Sequence, residues 1–122
     1  METVSVTVPA SPKYLQVVRL IAAGLASRLM FTIDDIEDLK IGVDELATYL
    51  IGTEGQPGSL HIEFQIVGNR IEIRGRGPME PGQKTRSTLT EFSKQILDTV
   101  ADEAALLMDG TIGFRLVKSK RS

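Results

Sequence analysis

The sequence predicts a two-layer α+β sandwich in a single domain, residues 1–122, with three helices on one face of a sheet of about five strands. Two observations predict this fold. Several segments alternate apolar and polar residues with the period of two that half-buried strands show. Three other segments place apolar residues at three- and four-residue spacing, which is typical of a helix with one buried face. Strands with one apolar face indicate an antiparallel or mixed, mostly antiparallel sheet that is covered on one side only.

The first half of the chain predicts one strand followed by two helices. Valines alternate with polar residues over residues 3–8, which indicates the strand. Ser11, followed by a proline, predicts the start of the first helix, because a hydroxyl caps free N–H groups and proline fits the first turn. Thr32, with Asp35 three residues later, predicts the start of the second helix, and Gly52 predicts its end. The apolar face predicted for the second helix consists of Ile36, Leu39, Val43, Leu46 and Leu50.

The second half of the chain predicts two hairpins with a helix between them. A Gly-Asn turn at residues 68–69 joins the first pair of strands, and an Asp-Gly turn at residues 109–110 joins the last pair. Thr88, with Glu91 three residues later, predicts the start of the third helix. Residues 74–84 are rich in glycine and proline and form the longest irregular stretch, which predicts a functional or mobile loop. The apolar face predicted for the third helix consists of Leu89, Phe92, Ile96 and Val100.

Composition excludes several classes of function. The formal net charge is −2, aromatic residues make up 5% and tryptophan is absent, which argues against binding of nucleic acid. The chain has no cysteine and a single histidine, so thiol catalysis and zinc sites of cysteine or several histidines are excluded, and we expect no metal site. That residue, His61, is expected to be an exposed strand residue. No targeting signal or membrane span of ~18 apolar residues is present, which predicts a cytoplasmic protein without membrane contact.

One stripe of the second helix carries the candidate site. Asp38, Gly42, Glu45 and Tyr49 lie beside the buried face of this helix at helical spacing. A glycine inside a helix costs about 1 kcal/mol relative to alanine. Gly42 therefore indicates either close packing of another element or close approach of a ligand. Glu45 is either a solvated residue at the edge of the apolar stripe or a functional carboxylate.

The segment IEDLKIGVDELATYLI, residues 36–51, resembles the second helix of the anti-sigma-factor serine kinase family. This family is the RsbW-like branch of the GHKL, or histidine-kinase-type ATPase, superfamily. The resemblance extends from the first strand to the closing segment DGTIGFRLVK, residues 109–118. It implies the histidine-kinase-type ATPase fold, ATP or ADP with magnesium as cofactor, a sigma factor and a STAS-type anti-anti-sigma protein as partners, and a homodimer.

The nucleotide-site residues of the family carry over only in part. Glu45 matches the glutamate that acts on the attacking group as a base or polariser. Tyr49 stands where the family has the asparagine that binds magnesium, and a phenol replaces it poorly because magnesium demands small, hard oxygen ligands in tight octahedral geometry. Gly75 stands where the family has the aspartate that hydrogen-bonds adenine, whereas Gly77 keeps a glycine of the same motif. The resemblance thus predicts a degenerate nucleotide pocket formed by Asp38, Gly42, Glu45, Tyr49, Gly75 and Gly77.

Fewer sequence signals indicate which residues would contact phosphate or a partner protein. The glycine motif that precedes the third helix in the family is missing. Lys84 and Arg86 are the residues there that would contact phosphate as point charges. The resemblance places part of the partner surface on the first helix, where Arg19 and Arg28 are the candidate contacts.

Three functions remain open on the sequence alone. The first is an anti-sigma-factor-like regulatory protein that binds a sigma factor, a STAS protein or both, without cofactor or enzymatic activity. The second is an active ATP-dependent serine kinase that phosphorylates an anti-anti-sigma partner. Glu45 favours the second function, but the losses at Tyr49 and Gly75 oppose it, because phosphoryl transfer depends on positioning and charge neutralisation by the metal. The third is a small-molecule sensor module that reuses the pocket.

Overall fold

The computed structural model describes residues 1–78, 90–109 and 111–120. In chain order its elements are β1 (Glu2–Pro9), a 3-10 turn (Pro12–Tyr14), α1 (Leu15–Arg28), α2 (Ile33–Ile51), β2 (Ser59–Val67), β3 (Arg70–Arg76), α3 (Glu91–Val100), β4 (Glu103–Asp109) and β5 (Thr111–Ser119).

The five strands form one sheet in the order β1-β2-β3-β5-β4. All four strand pairings are antiparallel, so this sheet is antiparallel rather than mixed. The α+β fold class and both predicted hairpins are confirmed. In the second hairpin the later strand, β5, pairs with β3, so the earlier strand, β4, lies at the edge of the sheet.

The hydrophobic core lies between one face of the sheet and the helices. Helix α2 supplies its central surface, and α1 and α3 both pack against α2. The apolar stripe predicted for α2 is confirmed, with Leu39, Val43, Leu46 and Leu50 buried and Ile36 partly buried. Burial of each such side chain contributes roughly 1.5–3 kcal/mol. Strand residues that complete the core include Leu60, Ile62, Phe64, Ile71, Ile73, Phe114 and Leu116.

The ends of α2 follow the predicted signals. The Thr32 side chain accepts a hydrogen bond from the backbone N–H of Asp35 at 3.1 Å, which caps the first turn. Gly52 ends the helix with φ of 76°, a left-handed conformation that glycine adopts without steric cost. At α1, the chain from Ser11 first makes the 3-10 turn, and the α-helix begins only at Leu15.

The start of α3 differs from the prediction. Its N-cap is Thr90, whose side chain accepts from the backbone N–H of Ser93 at 3.1 Å. The predicted cap, Thr88, lies outside the described residues. With this start, Ser93, Leu97 and Val100 face the core. The prediction that Phe92 belongs to the apolar face is wrong, since this side chain is 72% exposed.

The other face of the sheet is polar, as predicted. Glu72 is buried on it and bonds the guanidinium groups of Arg74 (3.0 Å) and Arg115 (2.8 Å), while Arg115 also bonds Glu103. Desolvation alone would raise the pKa of Glu72, but these hydrogen bonds and the two positive charges outweigh it, so the pKa lies below its ordinary value. His61 is exposed as expected, with its Nδ1 atom 2.8 Å from the Thr7 hydroxyl.

None of the helices described here is long and apolar enough to cross a bilayer.

Candidate functional site

A network of four side chains joins α2 to the start of α3. The Tyr49 hydroxyl accepts a hydrogen bond from the backbone N–H of Thr90 at 2.9 Å and lies 3.0 Å from the Ser93 hydroxyl. The Ser93 hydroxyl in turn donates to Oε1 of Glu45 at 2.5 Å. We call Glu45, Tyr49, Thr90 and Ser93 the α2–α3 network.

Helix geometry explains why these four residues meet. Glu45 and Tyr49 are four residues apart on α2, so their side chains project from the same face. Thr90 and Ser93 occupy the N-cap and the first turn of α3, where backbone N–H groups have no partner within the helix. Tyr49 supplies an acceptor for one of them. The network thus completes the cap of α3 with a side chain from another helix.

A cleft of about 580 Å³ opens beside this network. Its walls come from the C-terminal half of α2, the loop that follows α2, and the start of α3. Gln56 holds the loop in place, since its side chain donates to the carbonyl oxygen of Leu50 and its backbone N–H donates to that of Ala10. The lining residues are Glu45, Thr48, Tyr49, Leu50, Ile51, Gly52, Thr53, Gly55, Gln56, Thr90 and Ser93.

Two of the six predicted pocket residues, Glu45 and Tyr49, line this cleft. The structure does not bring Asp38 or Gly42 to it. Asp38 lies 3.7 Å from Nζ of the buried Lys118, at the other end of α2. A Cβ atom at Gly42 would lie 3.2 Å from Leu116, so this glycine allows the close packing of α2 on the sheet. Packing alone therefore accounts for the glycine in mid-helix.

The two predicted glycines at the end of β3 also make packing contacts. A Cβ atom at Gly75 would lie 2.3 Å from Cε2 of Phe114, which is closer than any real contact. Gly75 therefore leaves room for the Phe114 ring in the core. A Cβ atom at Gly77 would lie 3.2 Å from Cβ of Leu50, so Gly77 packs behind one wall of the cleft. Neither glycine is among the residues that line the cleft.

The two arginines of α1 that were predicted to contact a partner protein differ in their surroundings. Arg19 is bound within the chain, since its guanidinium donates to Asp44 of α2 at 2.5 Å and to Gln16 at 2.9 Å. Arg28, in the last turn of α1, is exposed. A partner protein can contact Arg28 directly, whereas contact with Arg19 requires breaking the ion pair between Arg19 and Asp44. Lys84 and Arg86 lie outside the described residues.

The described residues do not match the ligands that the resemblance implies for magnesium and adenine. At the magnesium position, the Tyr49 hydroxyl is already hydrogen-bonded to α3. At the adenine position, Gly75 offers no carboxylate, and its contact with Phe114 leaves no space for one. In the part of the chain that the structure describes, no three acidic or histidine side chains are grouped closely enough to hold a metal ion.

Three residues of the site were missed in the sequence: Thr90, Ser93 and Gln56. The spacing of Thr90 and Ser93, a hydroxyl residue followed by another three positions later, is a helix-start signal. It competes with the equally spaced Thr88 and Glu91, and spacing alone does not rank the two. Gln56 carries no local signal, because its role depends on the carbonyl groups of Leu50 and Ala10, which are brought to it by the fold.

Comparison with known proteins finds serine-protein kinases named RsbW among the relatives of the chain. No protein-family model matches the chain. The serine-protein kinase RsbW of Halalkalibacterium halodurans is 41% identical over 59% of this chain and 45% of its own length, and that of Bacillus subtilis is 38% identical over 57% of this chain and 46% of its own length. In these two alignments the chain spans about half of the relative. The RsbW of Bacillus licheniformis is 28% identical over 90% of this chain and 81% of its own length. The resemblance found in the sequence is thereby confirmed: the chain is similar to serine-protein kinases of the RsbW kind.

Proposed function

We propose that the chain is an anti-sigma-factor-like regulator that acts by binding a sigma factor, a STAS-type anti-anti-sigma protein or both. Its similarity to RsbW proteins supports the general role. In this proposal the nucleotide site is degenerate, so regulation depends on protein contacts rather than on phosphoryl transfer. The protein would act in the cytoplasm, as a homodimer, and Arg28 of α1 would contribute to the partner surface.

The α2–α3 network is the observation that carries the proposal. At the position where the family binds magnesium, Tyr49 is engaged with the backbone of Thr90 and the hydroxyl of Ser93. The one retained acidic residue, Glu45, accepts a hydrogen bond from the same serine. Both side chains therefore stabilise the contact between two helices, a role that needs no nucleotide.

The packing of Gly75 supports the same conclusion at the adenine position. The Phe114 ring fills the space that a side chain at this position would need. A chain that kept adenine recognition would need a carboxylate there, and hence a smaller residue than phenylalanine on β5. Gly75 and Phe114 thus fit each other in the core of this protein.

The second candidate is an active serine kinase. Two observations favour it: the relatives are named serine-protein kinases, and Glu45 lines a cleft of about 580 Å³. Against it, a phosphoryl group is transferred through positioning and neutralisation of its charge by metal ions. Tyr49 and Gly75 remove the residues that the resemblance assigns to these tasks.

Calorimetric titration with ATP and ADP, each with and without magnesium, separates the two candidates. We expect no magnesium-dependent binding by the wild-type protein, and purified sigma factors and STAS proteins from the same genome should bind in surface-based assays without nucleotide. A second titration uses Tyr49→Asn, which restores the asparagine that the resemblance assigns to magnesium binding at this position. Tight magnesium-dependent binding of ATP by the wild type, with transfer of phosphate to a STAS protein, would establish the kinase instead.

A further inference from the structure

Strand β1 lies at one edge of the sheet and leaves half of its backbone hydrogen-bonding groups free. Within the described residues, β2 is the only strand that pairs with it. The N–H of Ala10 donates to the carbonyl of Gly58 at 3.0 Å and continues the register between these strands. Because hydrogen-bonded pairs alternate along an antiparallel ladder, the even-numbered residues of β1 bond to β2 and the odd-numbered residues face outwards. The free N–H and C=O groups therefore belong to Thr3, Ser5 and Thr7.

The free edge of β1 lacks the features that usually prevent pairing with another chain. Edge strands are commonly protected by charged residues, a central proline or a bulge. The register of β1 with β2 is regular over the whole strand, so β1 contains no bulge. Glu2 is its only charged residue and Pro9 its only proline, and they stand at its two ends. The central residues of β1 are thus open to a further strand.

The hydrophobic core is incompletely covered beside this edge. Helix α2 contacts β5 and α3 contacts β4, so α1 is the helix on the β1 side. Ile21 lies two residues after Arg19, which bonds α2, and two residues correspond to about 200° around a helix axis. Ile21 is therefore on the flank of α1 that is turned away from α2. Four side chains of β1 and α1 pack against the core but are only partly buried: Val4, Val6, Ile21 and Leu25.

We propose that the free edge pairs with β1 of a second copy of the chain, antiparallel and centred on Ser5, so that two sheets join edge to edge. Residues 3–7 read TVSVT, which is the same sequence in both directions. In this register each Ser5 faces its counterpart, and Thr3 of each copy faces Thr7 of the other. Every free N–H of these residues then meets a free C=O.

Side chains and strand ends favour the same register. On the core side Val4 of each copy lies opposite Val6 of the other, and the pairing removes these half-exposed side chains from water. Glu2 lies opposite an apolar residue, so no like charges face each other. A shifted register is poorer, because it requires Met1, which precedes the strand, or Pro9, which has no N–H.

A two-fold pairing of this kind closes on itself, so it gives a dimer rather than a chain of subunits. It names the surface of the homodimer in the proposed function and rests on that function only to this extent. Binding of a sigma factor or a STAS protein is a separate measurement. A monomeric protein that still binds these partners would overturn the dimer and leave the regulatory role standing.

Two substitutions at position 5 test the backbone pairing by analytical ultracentrifugation. The wild type should sediment as a dimer. Ser5→Pro removes an N–H that the monomer does not use, and we expect the dissociation constant to rise about a hundredfold, since two hydrogen bonds are lost. Ser5→Ala keeps the N–H and should remain a dimer. A Ser5→Pro protein that is folded by circular dichroism and as dimeric as the wild type would overturn the proposal.

Cross-linking tests the register without the proline variant. The chain contains no cysteine, so a single introduced cysteine reports on contact with its own counterpart. Opposite residues of a hydrogen-bonded pair have Cα atoms about 5.5 Å apart, a distance that a disulfide spans. Ser5→Cys should therefore give a covalent dimer on oxidation, whereas Ala105→Cys, exposed on β4 at the other edge, should not. Equal cross-linking of both variants, or none of Ser5→Cys, would contradict the assignment.

Discussion

The hydroxyl of Tyr49 and the backbone N–H of Thr90 lie 2.9 Å apart, although 41 residues separate them in the chain. This contact gives the first turn of α3 an acceptor that the helix itself lacks. It also places a phenol between the Glu45 carboxylate and the end of α2. The stability of α3 and the shape of the cleft therefore depend on the same side chain.

Tyr49→Phe tests the stabilising part of this contact. The substitution leaves the Thr90 N–H without its acceptor and removes the bond to Ser93, so we expect the free energy of unfolding to fall by about 1–2 kcal/mol. Urea denaturation measures it. Tyr14→Phe is the control, because the Tyr14 hydroxyl makes none of the hydrogen bonds found in the described residues, and it should change the same quantity by less than about 0.5 kcal/mol. Equal effects of both variants would show that the bond contributes nothing.

Gly75→Ala tests the packing of β3 against β5. A methyl group at this position meets the Phe114 ring at 2.3 Å, so we expect a loss of about 1–3 kcal/mol in the free energy of unfolding. Combining it with Phe114→Leu should recover part of the loss, because the ring is the obstacle. Gly24→Ala is the control in an open position of α1, with nothing within 4 Å of the added carbon, and should stabilise by about 0.5–1 kcal/mol. Thermal and urea unfolding of the four proteins give the comparison.

Lys118→Met tests the buried cation at the other end of the α2–α3 contact. Lys118 is 1% exposed, donates to the carbonyl of Val100 at 2.9 Å and lies 3.6 Å from Asp35. Removing the cation leaves the buried Asp35 carboxylate without this charge, and we expect a loss of about 3–5 kcal/mol in unfolding free energy.

A second substitution shows whether the unbalanced charge causes the loss of stability in Lys118→Met. Asp35→Asn in the Lys118→Met background should restore part of the stability, because a neutral amide then replaces the buried carboxylate that has lost its cation. Lys40→Met, which breaks an exposed ion pair with Glu37, should cost no more than about 0.5 kcal/mol. If the double variant is no more stable than Lys118→Met, lost packing rather than an unbalanced charge explains the effect.

Glu72 predicts a defined response to acid. Its pKa in the folded protein lies below the ordinary value of 4.5, so the stabilisation by its ionised form is complete above that value and is lost as the pH falls through the folded pKa. Glu72→Gln should lower the free energy of unfolding by about 1–2 kcal/mol near neutral pH.

The difference between Glu72→Gln and the wild type should shrink as the pH falls from 4.5 through the folded pKa, because the wild-type carboxylate is protonated first in the unfolded chain and then in the folded protein. Urea denaturation over a series of pH values measures this difference. Glu63→Gln on the same face is the control and should show a smaller difference near neutral pH. A Glu72→Gln effect that is constant across the acidic range would mean that the carboxylate charge does not contribute.

The sequence predicted the helices and strands whose signals lie within a few neighbouring residues. The stripe from Ile36 to Leu50 and the glycine at position 52 predicted α2 and its end, because burial of one helix face imposes a period that neighbouring residues reveal. The start of α3 was not predicted, because two pairs of residues with cap spacing compete there. Phe92 was misplaced because its spacing to Ile96 and Val100 fits one helical face, whereas the packing of α3 on α2 and β4 turns the neighbouring face with Ser93 and Leu97 inward.

The sequence by itself determined the α+β sandwich, the polar outer sheet face, and the resemblance to the RsbW-like kinases with its changes at Tyr49 and Gly75. All of these depend on residue type and on spacing within a few positions. Only the tertiary structure decided what the changed residues contact. Tyr49 reaches Thr90 and Ser93, and Gly75 faces Phe114, across about 40 residues in each case. Contacts at such distances follow from how the elements pack, and local spacing carries no information about them.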